Sequence, residues 1–223
     1  DAEHVAAYAR SHSLEFVLGS EDVAQRARTR RISIEEAARD ARYEFLSDVA
    51  GRFGANRIPT AHTRSDQVET ILMRILRGTG RVGVAGIPAQ RGIIVRPLLN
   101  PDHAVARADT RGYCESRGVA FVDDSSNGDV RFLRNRIRHE ILPELRVVFP
   151  GIDDALLRLA GTAAREKREF TRRTEGWLRD HLREEAPGVW TLSLDGFDAH
   201  DDEDAAALLR DSLAHARLAR DVG

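Results

Sequence analysis

The chain has 223 residues, with 34 Lys and Arg against 36 Asp and Glu, a formal net charge of -2 and one cysteine, Cys114. That length holds one sizeable core, or one domain and part of another; near-neutrality excludes a generic polyanion binder, and a lone cysteine excludes a disulfide framework or a CxxC metal or redox site. No apolar run reaches membrane-spanning length and no charged-then-apolar leader opens the chain, so a cytoplasmic location with no membrane partner is expected.

Residues 4–12 continue a helix already under way at Asp1, and without an initiator methionine the start of the protein is expected to be missing. Leu14 to Leu18 reads as a short strand, followed by a polar connection through Arg31. Ser33 with Glu36 three residues on forms a capping box for a helix that Gly51 and Gly54 stop, with Ile34, Ala38, Ala41, Phe45, Leu46, Val49 and Phe53 as its apolar stripe. Arg39 and Arg42 lie near that stripe, where a solvated pair is the plain alternative.

Ile58 to His62 is a strand end that runs through a polar turn into a helix from about Asp66 to Arg77, with Val68, Ile71, Leu72, Ile75 and Leu76 spaced to pack inward. Asp66 and Glu69, three apart in its first turn, share one face beyond the strand's carboxyl end, where ligands bind in open α/β sheets. A structural reading competes: Thr63 and Asp66 resemble a capping pair, and acids are favoured in a first helical turn. His62 by itself is a weak signal, because no second histidine stands at metal-ligand spacing.

After the glycine-rich GTGRVG, Ile93 to Val95 reads as a buried strand leading to Arg96 and Pro97. Asn100 and Pro101 mark the start of a helix to about Arg117, Val119 to Val122 another strand, and Asp123 to Asn127 a polar loop suited to a cation, a hydroxyl-bearing ligand or simply a turn. In RFLRNRIRHEILPEL, Phe132, Ile137, Ile141 and Leu145 are placed for burial, while Arg131, Arg134 and Arg138 form a basic ridge suited to phosphate. Pro150 marks a boundary. A long helix from Ile152 to about Glu185, a strand at Gly188 to Leu194 and a last helix at Ala205 to Ala216 follow, with Asp201 to Asp204 as a solvated helix start; the second domain is expected to be incomplete.

The ordered blocks EAARDARYEFL, TAHTRSDQVETILMRILRGTG, AGIP, RPLL, DDSSN and RNRIRHEILPEL resemble the tRNA(Ile)-lysidine synthetase family, closely over residues 1–150 and loosely beyond. The resemblance implies an α/β fold of the N-type ATP pyrophosphatases, a Rossmann-like parallel sheet with flanking helices, over residues 1–150. A linker helix over 151–185 and part of a small α+β tRNA-contacting domain over 186–223 would follow. It further implies ATP and Mg2+ as cofactors, the anticodon region of tRNA(Ile) and L-lysine as partners, and a homodimer as a possible assembly. The implied reaction adenylates the wobble cytidine, then joins the lysine side-chain amine, releasing AMP.

For single residues the resemblance implies catalytic roles for Asp66, Glu69 and His62, with Asp66 and Glu69 binding lysine or magnesium. Arg42, Arg134 and Asn135 would face substrate, and Arg74, Arg77, Arg131 and Arg138 would face tRNA. Thr63 and Ser65 depart from the family pattern, standing where a histidine and an aspartate are expected. The family's SGGxDS pyrophosphate loop and its far C-terminal portion do not occur in these residues. Two alternatives follow: a non-catalytic RNA-binding fragment or degenerate paralogue, and a related ATP-pyrophosphatase RNA-modifying enzyme, whose cysteine-paired version the single Cys114 argues against.

Overall fold

The structure, a computed structural model, describes residues 2–100, 104–122 and 128–200, together with 204–206, 208–209 and 212–213. It divides into two compact units, residues 1–79 with 86–158, and residues 80–85 with 159–223.

In the first unit, α1 (Ala2–Ser11) is followed by α2 (Val23–Arg30), which occupies the stretch expected to be a polar connection. Asp22 caps α2 by accepting the Gln25 N–H at 2.9 Å, and Arg31 closes it in the left-handed region at φ 55°. The expected strand at Leu14 to Leu18 is not a strand: these residues pair with no other segment among the described residues, and Leu14 and Leu18 are exposed. An extended apolar run becomes a strand only where a neighbour takes its backbone hydrogen bonds.

Helix α3 (Ile34–Arg52) starts as expected, with Ser33 Oγ accepting the Glu36 N–H at 3.1 Å. Its buried positions are Ala37 and Ala50, whereas Ile34 and Phe53 at the ends of the expected stripe are exposed. Strand β1 (Ile58–Pro59) runs parallel to β3 (Ile94–Val95) in the register Ile58 to Ile94, and β2 (Gln90–Arg91) adds antiparallel to β3. Between the parallel strands lies α4 (Arg64–Leu76), so β1, α4 and β3 form a β-α-β crossover. Val68, Ile71 and Leu72 of α4 are buried as their spacing predicts, but Ile75 and Leu76 are exposed and Glu69, Thr70 and Met73 are buried instead.

A short 3-10 turn, Pro97–Leu99, ends at Asn100, and α6 (Arg107–Ser116) begins later than the Asn100–Pro101 signal predicts; Pro101 itself lies outside the described residues. The helix is capped from within, because Asp109 Oδ2 accepts the Ala106 N–H at 2.8 Å. Val119 to Val122 forms no strand; the Ala120 carbonyl instead meets His4 Nε2 at 3.0 Å. The expected polar loop at Asp123 to Asn127 lies outside the described residues. Helix α7 (Leu133–Arg136) passes through a π-helical turn, Ile137–Ile141, into α8 (Leu142–Val148). Ile137 and Leu142 are buried there, while Phe132 is exposed.

Helix α5 (Arg81–Val84) belongs to the second unit, which also holds the greater part of α9 (Ile152–His181) and a hairpin of β4 (Leu182–Ala186) with β5 (Val189–Leu192). The long helix thus ends before Glu185, and the strand expected at Gly188 to Leu194 is the second arm of this hairpin. Trp177 stacks on His181 with ring centroids 4.2 Å apart, and Thr174 is buried with its hydroxyl donating to the Phe170 carbonyl. The last expected helix is described only at 205–206, 208–209 and 212–213, and the acidic run before it only at Asp204. No helix among the described residues is long and apolar enough to cross a membrane.

Candidate active site

The carboxyl end of β1 delivers Thr60 to Thr63 to the start of α4. Thr63 caps the helix: its backbone N–H and hydroxyl donate to Asp66 Oδ2 at 2.8 and 2.7 Å. The capping reading of this turn is therefore present in the structure, and it uses only one oxygen of Asp66. The other, Oδ1, accepts from Arg107 Nη2 at 2.9 Å and Arg134 Nη2 at 3.2 Å.

One helical turn on, Glu69 is buried to 2 % side-chain exposure and holds three guanidiniums. Its Oε1 accepts from Arg138 Nε at 2.7 Å and Arg107 Nη1 at 3.3 Å, and its Oε2 from Arg134 Nε at 2.9 Å and Arg138 Nη2 at 3.0 Å. Spacing explains the convergence: Asp66 and Glu69 share one face of α4, and Arg134 and Arg138, four apart, share one face of the α7 segment. Burial opposes ionisation of both acids. For Asp66 the Thr63 hydrogen bonds and the Arg107 and Arg134 charges outweigh it, and for Glu69 the Arg138 and Arg134 hydrogen bonds do, so both titrate below the usual carboxylate range. Arg138 is held above its ordinary value by its bond to Glu69.

His62 sits at the edge of this cluster with Nδ1 3.0 Å from Thr60 Oγ1. Partial burial, then the nearby positive charge of Arg96, pushes its pKa below 6.5, so the imidazole is neutral at neutral pH. Arg96 is itself buried at the end of β3, donating to the Pro88 carbonyl at 2.8 Å and the Tyr43 hydroxyl at 3.2 Å. The AGIP turn beside it is fixed from α4. Gln67 exchanges hydrogen bonds with both backbone groups of Ile87 (2.7 and 3.2 Å), and Arg74 Nη1 donates to the Gly86 carbonyl at 2.8 Å. Gly86 is required there, since it sits at φ 70° and a Cβ would lie 2.7 Å from Gln67 Oε1.

The structure thus brings together Asp66, Glu69, Arg134 and Arg138, with His62 at their edge. Arg138 and Arg134 do not form an outward ridge with Arg131, because their forks turn onto the acids; Arg131 stays exposed and pairs with Asp129 at 2.7 Å. Asn135 is buried and donates to the Asp129 carbonyl at 3.0 Å. Arg74 turns toward the AGIP backbone, Arg77 is exposed at the end of α4, and Arg42 is exposed on α3 with no hydrogen bond or ion pair among the described residues. Arg107 escaped the sequence reading, since placing the helix start at Pro101 hid its position as the first residue of α6.

The acidic pair does not fit a magnesium ion in this arrangement. Every oxygen of the two carboxylates already accepts two donors, and a carboxylate oxygen offers two lone-pair sites. Among the described residues no group of three or more His, Cys, Asp or Glu is placed to hold a metal.

Compared with known proteins, residues 1–145 match the PP-loop domain family. The chain is similar to the tRNA(Ile)-lysidine synthase of Geobacter sulfurreducens, 40% identical over 197 residues that cover 87% of this chain and 41% of that protein. It is similar to that of Burkholderia mallei, 39% identical over 183 residues (79% of this chain, 36% of that protein), and to that of Deinococcus radiodurans, 46% identical over 131 residues (59% and 22%). The resemblance read from the six sequence blocks is borne out. The chain spans about two fifths or less of the length of these curated relatives.

Proposed function

From the premise that this chain belongs to the PP-loop domain family, with the α/β fold that membership brings, we propose that it is part of a tRNA(Ile)-lysidine synthase. The parallel β1–β3 pair with α4 between them supports reading the first unit as a piece of a Rossmann-like sheet. Residues 1–150 are then the catalytic domain, 151–185 a linker helix and 186–223 the start of a tRNA-contacting domain.

In this reading the wobble cytidine oxygen of tRNA(Ile) attacks the α-phosphorus of ATP and pyrophosphate leaves. The lysine ε-amine then attacks the activated carbon and AMP leaves. Lysine is nucleophilic only as the free amine, and a neutral His62 is suited to take the proton. Arg134 and Arg138 would meet the negative charge that develops on the phosphate. Asn135 holds the segment before α7, and exposed Arg42, Arg77 and Arg131 are available to substrate or tRNA phosphates. Magnesium, where it accompanies ATP, would be held by the nucleotide's own phosphate oxygens.

The observation that carries the proposal is the meeting of Asp66 and Glu69 with Arg134 and Arg138 beyond the carboxyl end of β1. The test is lysine-dependent AMP release from ATP by the longest natural polypeptide containing these residues, with tRNA(Ile). Asp66→Ala and Glu69→Ala should each reduce it at least 100-fold. Full activity in both variants, or AMP release indifferent to lysine, overturns the proposal.

A further inference from the structure

Resting on the reading of this site as a phosphate-transfer centre, we propose that Arg107 is its phosphate-contacting residue and that Asp66 and Glu69 are the mount that aims it, not a cation site. Three guanidiniums meet two carboxylates, so the cluster carries one positive charge in excess. Saturated acceptors leave a substrate cation nothing to bind, whereas the arginines keep N–H groups that the carboxylates do not use. The accessible part of the excess lies at Arg107, whose side chain is 42% exposed against 34% for Arg134 and 18% for Arg138.

The backbone behind Arg107 is fixed before any ligand arrives. Its N–H donates to Ser65 Oγ at 3.2 Å, and the Arg64 N–H donates to the Val105 carbonyl at 2.8 Å. Its fork bridges both acids, Nη2 on Asp66 and Nη1 on Glu69. A guanidinium pre-positioned in this way, with a second one alongside, matches the several oxygens and the charge of a phosphate group. The phosphate comes either from a nucleotide or from an RNA backbone.

The test uses the 223-residue chain and inorganic pyrophosphate, with affinity read by calorimetry. Arg107→Ala should weaken binding at least 10-fold, Arg107→Lys by an intermediate factor, and Arg10→Ala on the exposed face of α1 not at all. The discriminating variant is Asp66→Asn. It raises the cluster's net charge by one, so charge alone demands tighter binding; loss of the mount demands binding several-fold weaker in a chain whose circular dichroism shows it folded. Tighter binding by Asp66→Asn, unchanged binding by Arg107→Ala, no pyrophosphate binding at all, or acetate bound as well as pyrophosphate would overturn the proposal. Arg107-dependent displacement of pyrophosphate by ATP assigns the group to a nucleotide, and displacement by a single-stranded RNA hexamer assigns it to a phosphodiester; displacement by neither also counts against it. The proposed synthase activity is read separately as AMP release, so either conclusion can fail while the other stands.

Discussion

Ser65 Oγ accepts the backbone N–H of Arg107 at 3.2 Å, which ties the first turn of α4 to the first residue of α6. Ser65 is one of the positions that departs from the family pattern, where an aspartate is expected. In this chain the residue is employed as a hydrogen-bond acceptor for an otherwise unsatisfied helix-terminal N–H.

Ser65→Ala should therefore cost about 0.5–1.5 kcal/mol, the net worth of one partly buried hydrogen bond. The urea midpoint of the 223-residue chain measures it, and an unchanged midpoint would mean that the tie does not hold α6.

Glu69 is the more severe position. Replacing it with Ala leaves Arg107, Arg134 and Arg138 around a buried gap with only Asp66 to compensate them. Removing one partner of a buried ion pair costs roughly 3–5 kcal/mol. Because Arg107 and Arg134 are partly exposed, solvent screening places the expected loss toward the lower end of that range. Chemical denaturation checks this, and a loss under about 1 kcal/mol would show that solvent carries the arginine charge as well as Glu69 does.

The same acids give the protein an acid-sensitive limb. Asp66 and Glu69 titrate in the folded state below their ordinary values of 3.8 and 4.5, so at mildly acidic pH the unfolded chain binds more protons than the folded one. Their contribution is fully present above those ordinary values and is lost as pH falls through the depressed ones. Urea midpoints measured from pH 7 down to pH 3 should be level at first and then fall, and Glu69→Gln should flatten the fall. An equally steep acid limb in that variant would assign it to other carboxylates.

How much of this was legible in the sequence depends on whether the signal was local. The caps Ser33 and Thr63, the pairing of Asp66 with Glu69 on one face and the inward Val68, Ile71 and Leu72 follow from spacing of three and four residues, and the structure has them. Strands at Leu14 to Leu18 and Val119 to Val122 were misread because β-structure needs a partner, which no property of the run itself supplies. The saturation of the acids was hidden for a similar reason. Arg107 reaches Asp66 across 41 residues and Arg138 reaches Glu69 across 69, so the arginines that decide what the acids can bind lie far outside any local window.

His62 and Arg96 make the last expectation, since they lie at the ends of the paired strands β1 and β3 and their charges oppose each other. Burial disfavours the imidazolium first and the Arg96 charge second, while Asp66 acts the other way. His62 should titrate below 6.5 when its ring resonances are followed by NMR. Arg96→Gln should raise that midpoint and Asp66→Asn should lower it. Between the folded value and 6.5 the unfolded chain takes up the proton more readily, so this group's share of stability is intact above 6.5 and declines as pH falls toward the folded value. The consequence for chemistry is that a histidine kept neutral at pH 7 is free to receive a proton there. A midpoint at or above 6.5 in the unmodified chain would remove His62 from the role of base, while leaving the arginine cluster and its carboxylate mount untouched.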